Sequence, residues 1–237
     1  MNVDELNKLE FQPNIFHPFY FIRNGLYKNI QEFSSSLKGK LLDFGCGSKP
    51  YKHLFQVEKY IGADFENPGH SHEQENIDVF YDGKQLPFDD NYFDSILCSE
   101  VFEHVFNLDE VLKELHRVLQ PNGKMLITCP FVWSEHEVPH DFARYTQFAL
   151  TDILEKNGFE IIAFKKSGNF ITAITQLTVL YFFKRSSNKI FSFFIFRWAL
   201  KIFCYALPNI IGKICNAILP NDDTLYLNNI LLVEKLN

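Results

Sequence analysis

The spacing of apolar and polar positions changes repeatedly along the chain, and each change marks an element. Lys40–Phe44 is a short apolar run, preceded by "SSSLKG" and followed by the glycine turn "GCGSKP", and it predicts a first strand. "YIGADF" (60–65), "IDVFYDG" (77–83) and "FDSILCSE" (93–100) predict strands two to four. The period then switches. Leu108, Val111, Leu112, Leu115, Val118 and Leu119 recur at helical spacing, predicting a helix over 107–119 with one apolar face, stopped by Pro121 and Gly123. "KMLITCP" (124–130) predicts a fifth strand, 146–157 a helix ended by Gly158, "FEIIAFKK" (159–166) a sixth strand and "LNNILLVEKL" (227–236) a last one. Upstream, Phe19–Phe33 mixes aromatics with Arg23, Lys28 and Glu32 at spacings that suit a helix, and Pro13 and Pro18 break the segment before it. Strands alternating with helices predict an α/β domain. Its sheet is mostly parallel, covered by helices on both faces, and any site lies at the carboxyl ends of the strands.

Residues 168–220 break this rhythm. They hold six basic side chains (Lys184, Arg185, Lys189, Arg197, Lys201, Lys213) and no acidic one, leaving all 29 acids to the rest of the chain. No uncharged stretch reaches the roughly 18–20 residues of a spanning helix. Two readings stay open. The segment is either a helical lid whose aromatic faces pack on the domain, or an insert lying in the headgroup region of a membrane with lysines and arginines near anionic lipid. The chain therefore parses into an N-terminal helical cap (1–37), an α/β core (38–167), the basic aromatic helical insert (168–220) and the last core strand (221–237).

Composition narrows the class. Hydrophobic content of 46%, with 26 phenylalanines, supports the core of one domain with an elaboration. The net charge of -6 argues against a nucleic-acid partner. The five cysteines are odd in number and show no C-x-x-C pair, which fits reduced thiols in a cytoplasmic protein better than a disulfide frame or a zinc site. Asp4, Glu5, Lys8 and Glu10 interrupt the place where the apolar region of a signal peptide would lie, so none is expected.

The turn after the first strand, in "KLLDFGCGSKPYKHLF", has Gly45 and Gly47 but lacks the third glycine of a dinucleotide fingerprint, where Ser48, Lys49 and Pro50 stand. S-adenosylmethionine carries no phosphate and needs no third glycine. It needs backbone close to its methionine part, which Gly45 and Gly47 permit because they have no Cβ. Asp43 can organise the turn or meet the ammonium group. Asp64, at the end of strand two, is a natural acceptor for both ribose hydroxyls, against the plainer reading of a solvated loop acid.

Four pieces, "LLDFGCGSKPY", "YIGADF", "YDGKQLPFDDNYFDSILCSEVFEHV" and "ELHRVLQPNGKMLITCP", occur in order across about residues 38–165. Together they resemble class I S-adenosylmethionine-dependent methyltransferases, in the group with an L-P-F-x-D-x-x-F-D signature. The resemblance implies a Rossmann-like, seven-stranded sheet whose last strand is antiparallel beside strand six. It places Asp82 on the adenine amino group with Gly83 beside it, Leu86 against the ring, and Glu100 at the floor of the cofactor and acceptor pocket. Lys49–Pro50 departs from the pattern and is read as an altered loop shape.

Methyl transfer requires alignment and exclusion of water, and a hydroxyl acceptor also requires a base. "SEHEVPHDFARYT" (134–146) follows strand five, where acceptors meet the cofactor in this fold. His140 beside Asp141 is the candidate base with an orienting acid, His136 lies close by, and Arg144 binds an anionic acceptor group or braces the loop. The plainer reading is a loop whose His and Arg tie the chain to helix termini. His104 either faces the acceptor or shapes the start of a helix. "GHSHEQE" gathers His70, His72, Glu73 and Glu75 without fixed ligand spacing, and no metal is expected. Lys38, Lys40, Lys49 and Lys52 read as a solvated face.

The string Pro139, Asp141, Arg144, Tyr145, Thr146 looks like that of methyltransferases of cell-surface polysaccharide and glycolipid synthesis. The expected acceptor is thus a lipid-linked saccharide or glycolipid, O-methylated at the inner membrane face by a cytoplasmic, peripheral protein. A quinone precursor or other small molecule is the alternative acceptor. A non-catalytic, methyltransferase-like membrane-anchored partner is the rival of another class, and a nicotinamide-dependent reductase is disfavoured by the missing glycine.

Overall fold

The structure, a computed structural model, describes residues 10–65, 77–186 and 198–236. The chain forms two compact units, Asn29–Lys165 with Asn229–Asn237, and Met1–Lys28 with Lys166–Asn228.

The first unit is built on a seven-stranded sheet in the order β3-β2-β1-β4-β5-β7-β6. Its strands are β1 (Lys40–Phe44), β2 (Lys59–Phe65), β3 (Val79–Tyr81), β4 (Phe93–Ser99), β5 (Leu119–Pro130), β6 (Phe159–Ser167) and β7 (Asn228–Lys235). The β3, β2, β1, β4 and β5 neighbours pair in parallel, the last strand is antiparallel, and helices pack around the sheet, as a Rossmann-like fold requires. The strand order reverses between β1 and β4, so the crevice beyond their carboxyl ends is the expected ligand position. Leu41 and Leu42 of β1 and Ile96 and Leu97 of β4 are nearly or fully buried, the near-continuous apolar pattern of strands covered on both faces.

Between β4 and β5 runs α2 (Leu108–Val118); α1 is Tyr20–Phe33 and α3 is Gln147–Lys156. On α2, Leu108, Val111, Leu112, Leu115 and Val118 face the core. Asp109 and Glu110 sit in its first turn and Arg117 in its last, each matching the helix dipole. Lys235 of β7 donates to the carbonyls of His116 and Leu119, both at 2.7 Å, and so satisfies acceptors that the helix end leaves open.

The junction differs from the sequence expectation of a helix to 119, a turn, and a strand from 124. Leu119 is already extended and pairs with Phe93, and the register then shifts so that Lys124 pairs with Ser95. Gln120–Gly123 is thus an irregularity within β5, with Asn122 at φ 62°, and not a loop ahead of it. Burying Leu119 at 0% exposure favours starting the strand at once.

The second unit contains α4 (Phe170–Ser186), a π-helical turn (Lys201–Ala206) and α5 (Leu207–Ile218). Gln176, fully buried on α4, accepts the N–H groups of Phe21 and Ile22 at 3.1 and 3.2 Å and donates to the Pro18 carbonyl at 2.7 Å. It thereby satisfies two of the orphan donors at the start of α1. A Cβ on Gly212 would lie 2.5 Å from Thr175 Oγ1, so only glycine allows α4 and α5 to approach this closely. Among the described residues no helix is long and apolar enough to cross a membrane.

Candidate active site

The glycine turn after β1 is held from below. Gly45 and Cys46 donate their N–H groups to the Ala63 carbonyl at 2.8 and 3.1 Å, and Gly47 donates to Asp64 Oδ2 at 2.7 Å. Gly45 has φ 73°, and a Cβ there would stand 2.3 Å from Val101 Cγ2, so both backbone and space require glycine. Asp64 Oδ1 takes the N–H of Phe65 at 2.7 Å, so this carboxylate is a braced part of the turn and not a solvated loop acid.

Asp43 is 3% exposed and accepts the Tyr60 hydroxyl at 2.6 Å. Burial raises its carboxyl to about 7, with the Tyr60 hydrogen bond pulling the other way. Of the four lysines read as a solvated face, Lys49 corrects the reading. It is 6% exposed, holds φ 55°, and pairs through Nζ with Asp78 Oδ2 at 2.7 Å. The same oxygen accepts the Gly62 N–H at 2.7 Å. A Cβ on Gly62 would lie 2.2 Å from Lys49 Cε, so Gly62 makes room for the buried lysine. A lone lysine after a glycine turn gives no sign of this in one dimension.

At the end of β3, Asp82 Oδ1 accepts the N–H groups of Lys84 and Gln85 at 2.9 and 3.3 Å, which lower its pKa. Gly83 follows at φ 84°, with the Phe65 ring 3.0 Å from where a Cβ would be. Leu86, expected against the adenine ring, is 1% exposed with its side chain in the core cluster. Its backbone is gripped by a pair that sequence reasoning missed. Glu114 accepts the Leu86 N–H at 2.7 Å, and Arg117 donates to the carbonyls of Leu86 and Phe88, to Asp90 and twice to Glu114. All five guanidinium donors are used, which fixes the "LPFDD" loop.

Glu100 closes β4 at φ 56°, a strained value for a residue with a Cβ. Thr128 on β5 holds it there, accepting the Glu100 N–H and donating to Glu100 Oε1 at 2.8 Å. The next turn (Phe102–His104) carries Glu103, fully buried, whose Oε1 has no hydrogen-bond partner and whose pKa is raised by burial and by the neighbouring Glu100.

The loop after β5 is organised by a clamp. Arg144 meets both oxygens of Asp141 at 2.6 and 2.7 Å and also donates to the carbonyls of Trp133, Ser134 and Ala143. The guanidinium holds the Asp141 carboxyl down to about 2. Phe142 and Ala143 donate to the Glu103 carbonyl, tying the loop to the turn after β4. The expected pairing of His140 with Asp141 is not the one formed. Asp141 Oδ2 faces His136 Nδ1 at 3.3 Å, while the exposed His140 ring lies against Phe142. Adjacent side chains on this loop point apart, and the longer-range charge pair takes the carboxylate. Of the two roles weighed for Arg144, bracing the loop is the one its geometry fills. His104 Nδ1 sits 2.6 Å from the His140 carbonyl, and its ring packs edge-on to His136 with centroids 4.7 Å apart. His70, His72, Glu73 and Glu75 lie outside the described residues.

The glycine turn after β1, Asp64 at the end of β2, Asp82 after β3 and Glu100 after β4 therefore all lie at the carboxyl ends of neighbouring strands of the parallel sheet. A family model described as a methyltransferase domain matches residues 42–127. Residues 42–127 thus carry a methyltransferase domain, which together with the sheet order supports a class I S-adenosylmethionine-dependent methyltransferase. S-adenosylmethionine is its cofactor. The chain is 27% identical over 152 residues to an uncharacterized protein of Methanocaldococcus jannaschii, a match covering 63% of this chain and 67% of that one. It is 32% identical over 77 residues to a ubiquinone/menaquinone biosynthesis C-methyltransferase of Chromobacterium violaceum, covering 32% of each. The chain thus spans about a third of the latter's length. Among solved structures, the [4+2]-cyclase SpnF superposes with a TM-score of 0.56 at 17% identity, covering 90% of this chain and 81% of that one. Solved methyltransferases, one of them with S-adenosylmethionine bound, share the fold at TM-scores of 0.52 and 0.54. The fold alone hosts more than one chemistry, so the acceptor is argued from the side chains.

Proposed function

We propose that the protein transfers the methyl group of S-adenosylmethionine to a hydroxyl of a lipid-linked saccharide or glycolipid at the inner face of a membrane. The observation that carries this reading is on α5, where Leu207, Ile210, Ile211, Ile214 and Ile218 are 44–74% exposed at helical spacing. An exposed apolar stripe on a helix too short to span, in a segment with lysines and arginines and no acid, suits the lipid headgroup boundary.

In this reading Asp64 binds the ribose hydroxyls, Asp82 and Gly83 frame the adenine beside the loop that the buried Leu86 anchors in the core, and Gly45 and Gly47 admit the methionine part with Asp43 near its ammonium. Glu100 forms the floor. His140, exposed on the loop, takes the acceptor proton as the new bond forms, and the Asp141–Arg144 clamp holds the loop that carries it. The similarity to a quinone C-methyltransferase favours a second reading, a quinone precursor as acceptor.

One experiment separates them. Purified protein is incubated with methyl-labelled S-adenosylmethionine and membrane extract, and the products are partitioned. Label in the lipid phase, released as a methylated sugar on acid hydrolysis, supports the saccharide. Label that co-migrates with quinones supports the second reading, and label confined to the aqueous phase overturns both membrane acceptors. Cofactor binding with no transfer to any fraction points to a non-catalytic partner.

A further inference from the structure

We propose that Glu103, His104 and His136 form a binding site for a divalent first-row transition-metal ion, with two imidazole nitrogens and one carboxylate oxygen as ligands. The inference stands apart from the choice of acceptor. The three side chains each bring a ligand-capable atom within 4.8 Å of one another, from two elements that the Glu103 carbonyl ties together.

The independent sign of a ligand is Glu103. Its side chain has no exposure to solvent, and Oε1 has no hydrogen-bond donor, although buried polar atoms are almost always satisfied. The nearby cation, Arg144, is committed to Asp141 and to backbone carbonyls. His104 Nε2 stands 3.8 Å from this same Oε1. A positive ion between them supplies what the carboxylate lacks.

Both imidazoles are prepared for the task. A carbonyl oxygen only accepts, so His104 Nδ1, 2.6 Å from the His140 carbonyl, carries the proton and leaves Nε2 as a lone pair. His136 Nδ1 faces Asp141 Oδ2 at 3.3 Å. Arg144 Nη2 is also 3.3 Å from that nitrogen but already donates to Asp141 at 2.7 Å, so the imidazole gives its proton to the carboxylate and keeps Nε2 for a ligand. Metal-binding histidines characteristically donate their second nitrogen to a carbonyl or carboxylate in this way. Two nitrogens and one oxygen suit manganese, iron, cobalt or zinc, and not magnesium or calcium, which take oxygen ligands. Three protein ligands leave positions open to an acceptor oxygen, whose proton the ion would make easier to remove.

The test uses the full chain without an affinity tag, stripped of metal and titrated with cobalt(II) as the probe. Visible absorption reads the coordination, and equilibrium dialysis with elemental analysis reads the stoichiometry. The expected result is one equivalent of cobalt with ligand-field bands. His136→Ala and the isosteric Glu103→Gln should weaken binding at least about tenfold, and His53→Ala, outside the cluster, should leave it unchanged. Thermal melting checks that each variant is folded. No saturable binding at millimolar cobalt, or equal binding by folded His136→Ala and Glu103→Gln, overturns the site.

Discussion

The backbone N–H of Gly47 donates to Oδ2 of Asp64 at 2.7 Å, so one carboxylate at the end of β2 fixes the turn after β1. Its Oδ1 takes the N–H of Phe65. A carboxylate offers two acceptor oxygens, which is what a pair of ribose hydroxyls needs. In the proposed ribose-binding role, removing the carboxylate costs both those contacts and the anchor of the turn. Asp64→Ala should lower affinity for S-adenosylhomocysteine about 100-fold, or about 2.7 kcal/mol, with circular dichroism unchanged. Asp64→Asn keeps one acceptor oxygen and should lose less. Isothermal calorimetry decides, and an affinity equal to wild type removes Asp64 from the site.

Asp43 gives the fold a pH dependence of unusual sign for a carboxylate. Burial raises its pKa from 3.8 to about 7. Between these values the unfolded chain has released the proton and the folded chain keeps it. The stability that Asp43 contributes is therefore full below about pH 4 and is lost as pH rises through 7. In Asp43→Asn the dependence disappears. The stability of wild type relative to this variant should fall by about 2–3 kcal/mol from pH 5 to pH 8, in urea titrations without cofactor. A difference that stays constant over this range would show that Asp43 is ionised throughout.

The parts of the site that depend on local pattern were legible in the sequence, and those that depend on a distant partner were not. The short apolar run before the glycine turn places β1 at Lys40–Phe44, and the 3.6-residue spacing places α2 within one residue of Leu108–Val118. Gly45 announces its turn because no other residue fits φ 73° against Val101. Lys49 is different. Its burial is decided by Asp78 and by the space that Gly62 leaves, 29 and 13 residues away, and a lysine in a polar stretch reads as solvated until they are seen together. Arg117 grips a loop 27 to 31 residues before it, and nothing in helical spacing reveals that. His140 and Asp141 are neighbours in the sequence, yet the carboxylate goes to Arg144 three residues on, whose planar fork offers two parallel hydrogen bonds.

That clamp should be measurable. Asp141 has a side chain 4% exposed, so Arg144→Ala leaves its charge buried and unpaired. The expected loss is about 2–4 kcal/mol at pH 7, only partly recovered by lysine, which cannot make the bidentate contact. Because the guanidinium lowers Asp141 to about 2, its contribution is present above pH 4 and is lost as pH falls through 2. The gap between wild type and Arg144→Ala should therefore narrow on acidification from pH 4 toward pH 2. Equal stabilities at pH 7 would mean that the ion pair contributes nothing to the fold.

The exposed stripe on α5 makes the membrane reading testable without deleting any element. Ile210, Ile214 and Ile218 lie on one side of the helix and are each at least 44% exposed, so replacing them removes little packing. Each would gain about 1 kcal/mol by entering the interface from its half-exposed state. Lys201 and Lys213, in or near the same helix, would each add about 1 kcal/mol beside anionic lipid. The triple variant with glutamate at 210, 214 and 218 forfeits the apolar gain and opposes the electrostatic one. It should no longer float with anionic vesicles, while its affinity for S-adenosylhomocysteine stays as in wild type. Wild-type flotation should itself weaken as salt screens the lysines, because surface charges lose reach as the Debye length shrinks. If the triple variant floats as well as wild type, the stripe does not meet lipid, and the acceptor must be sought among soluble molecules.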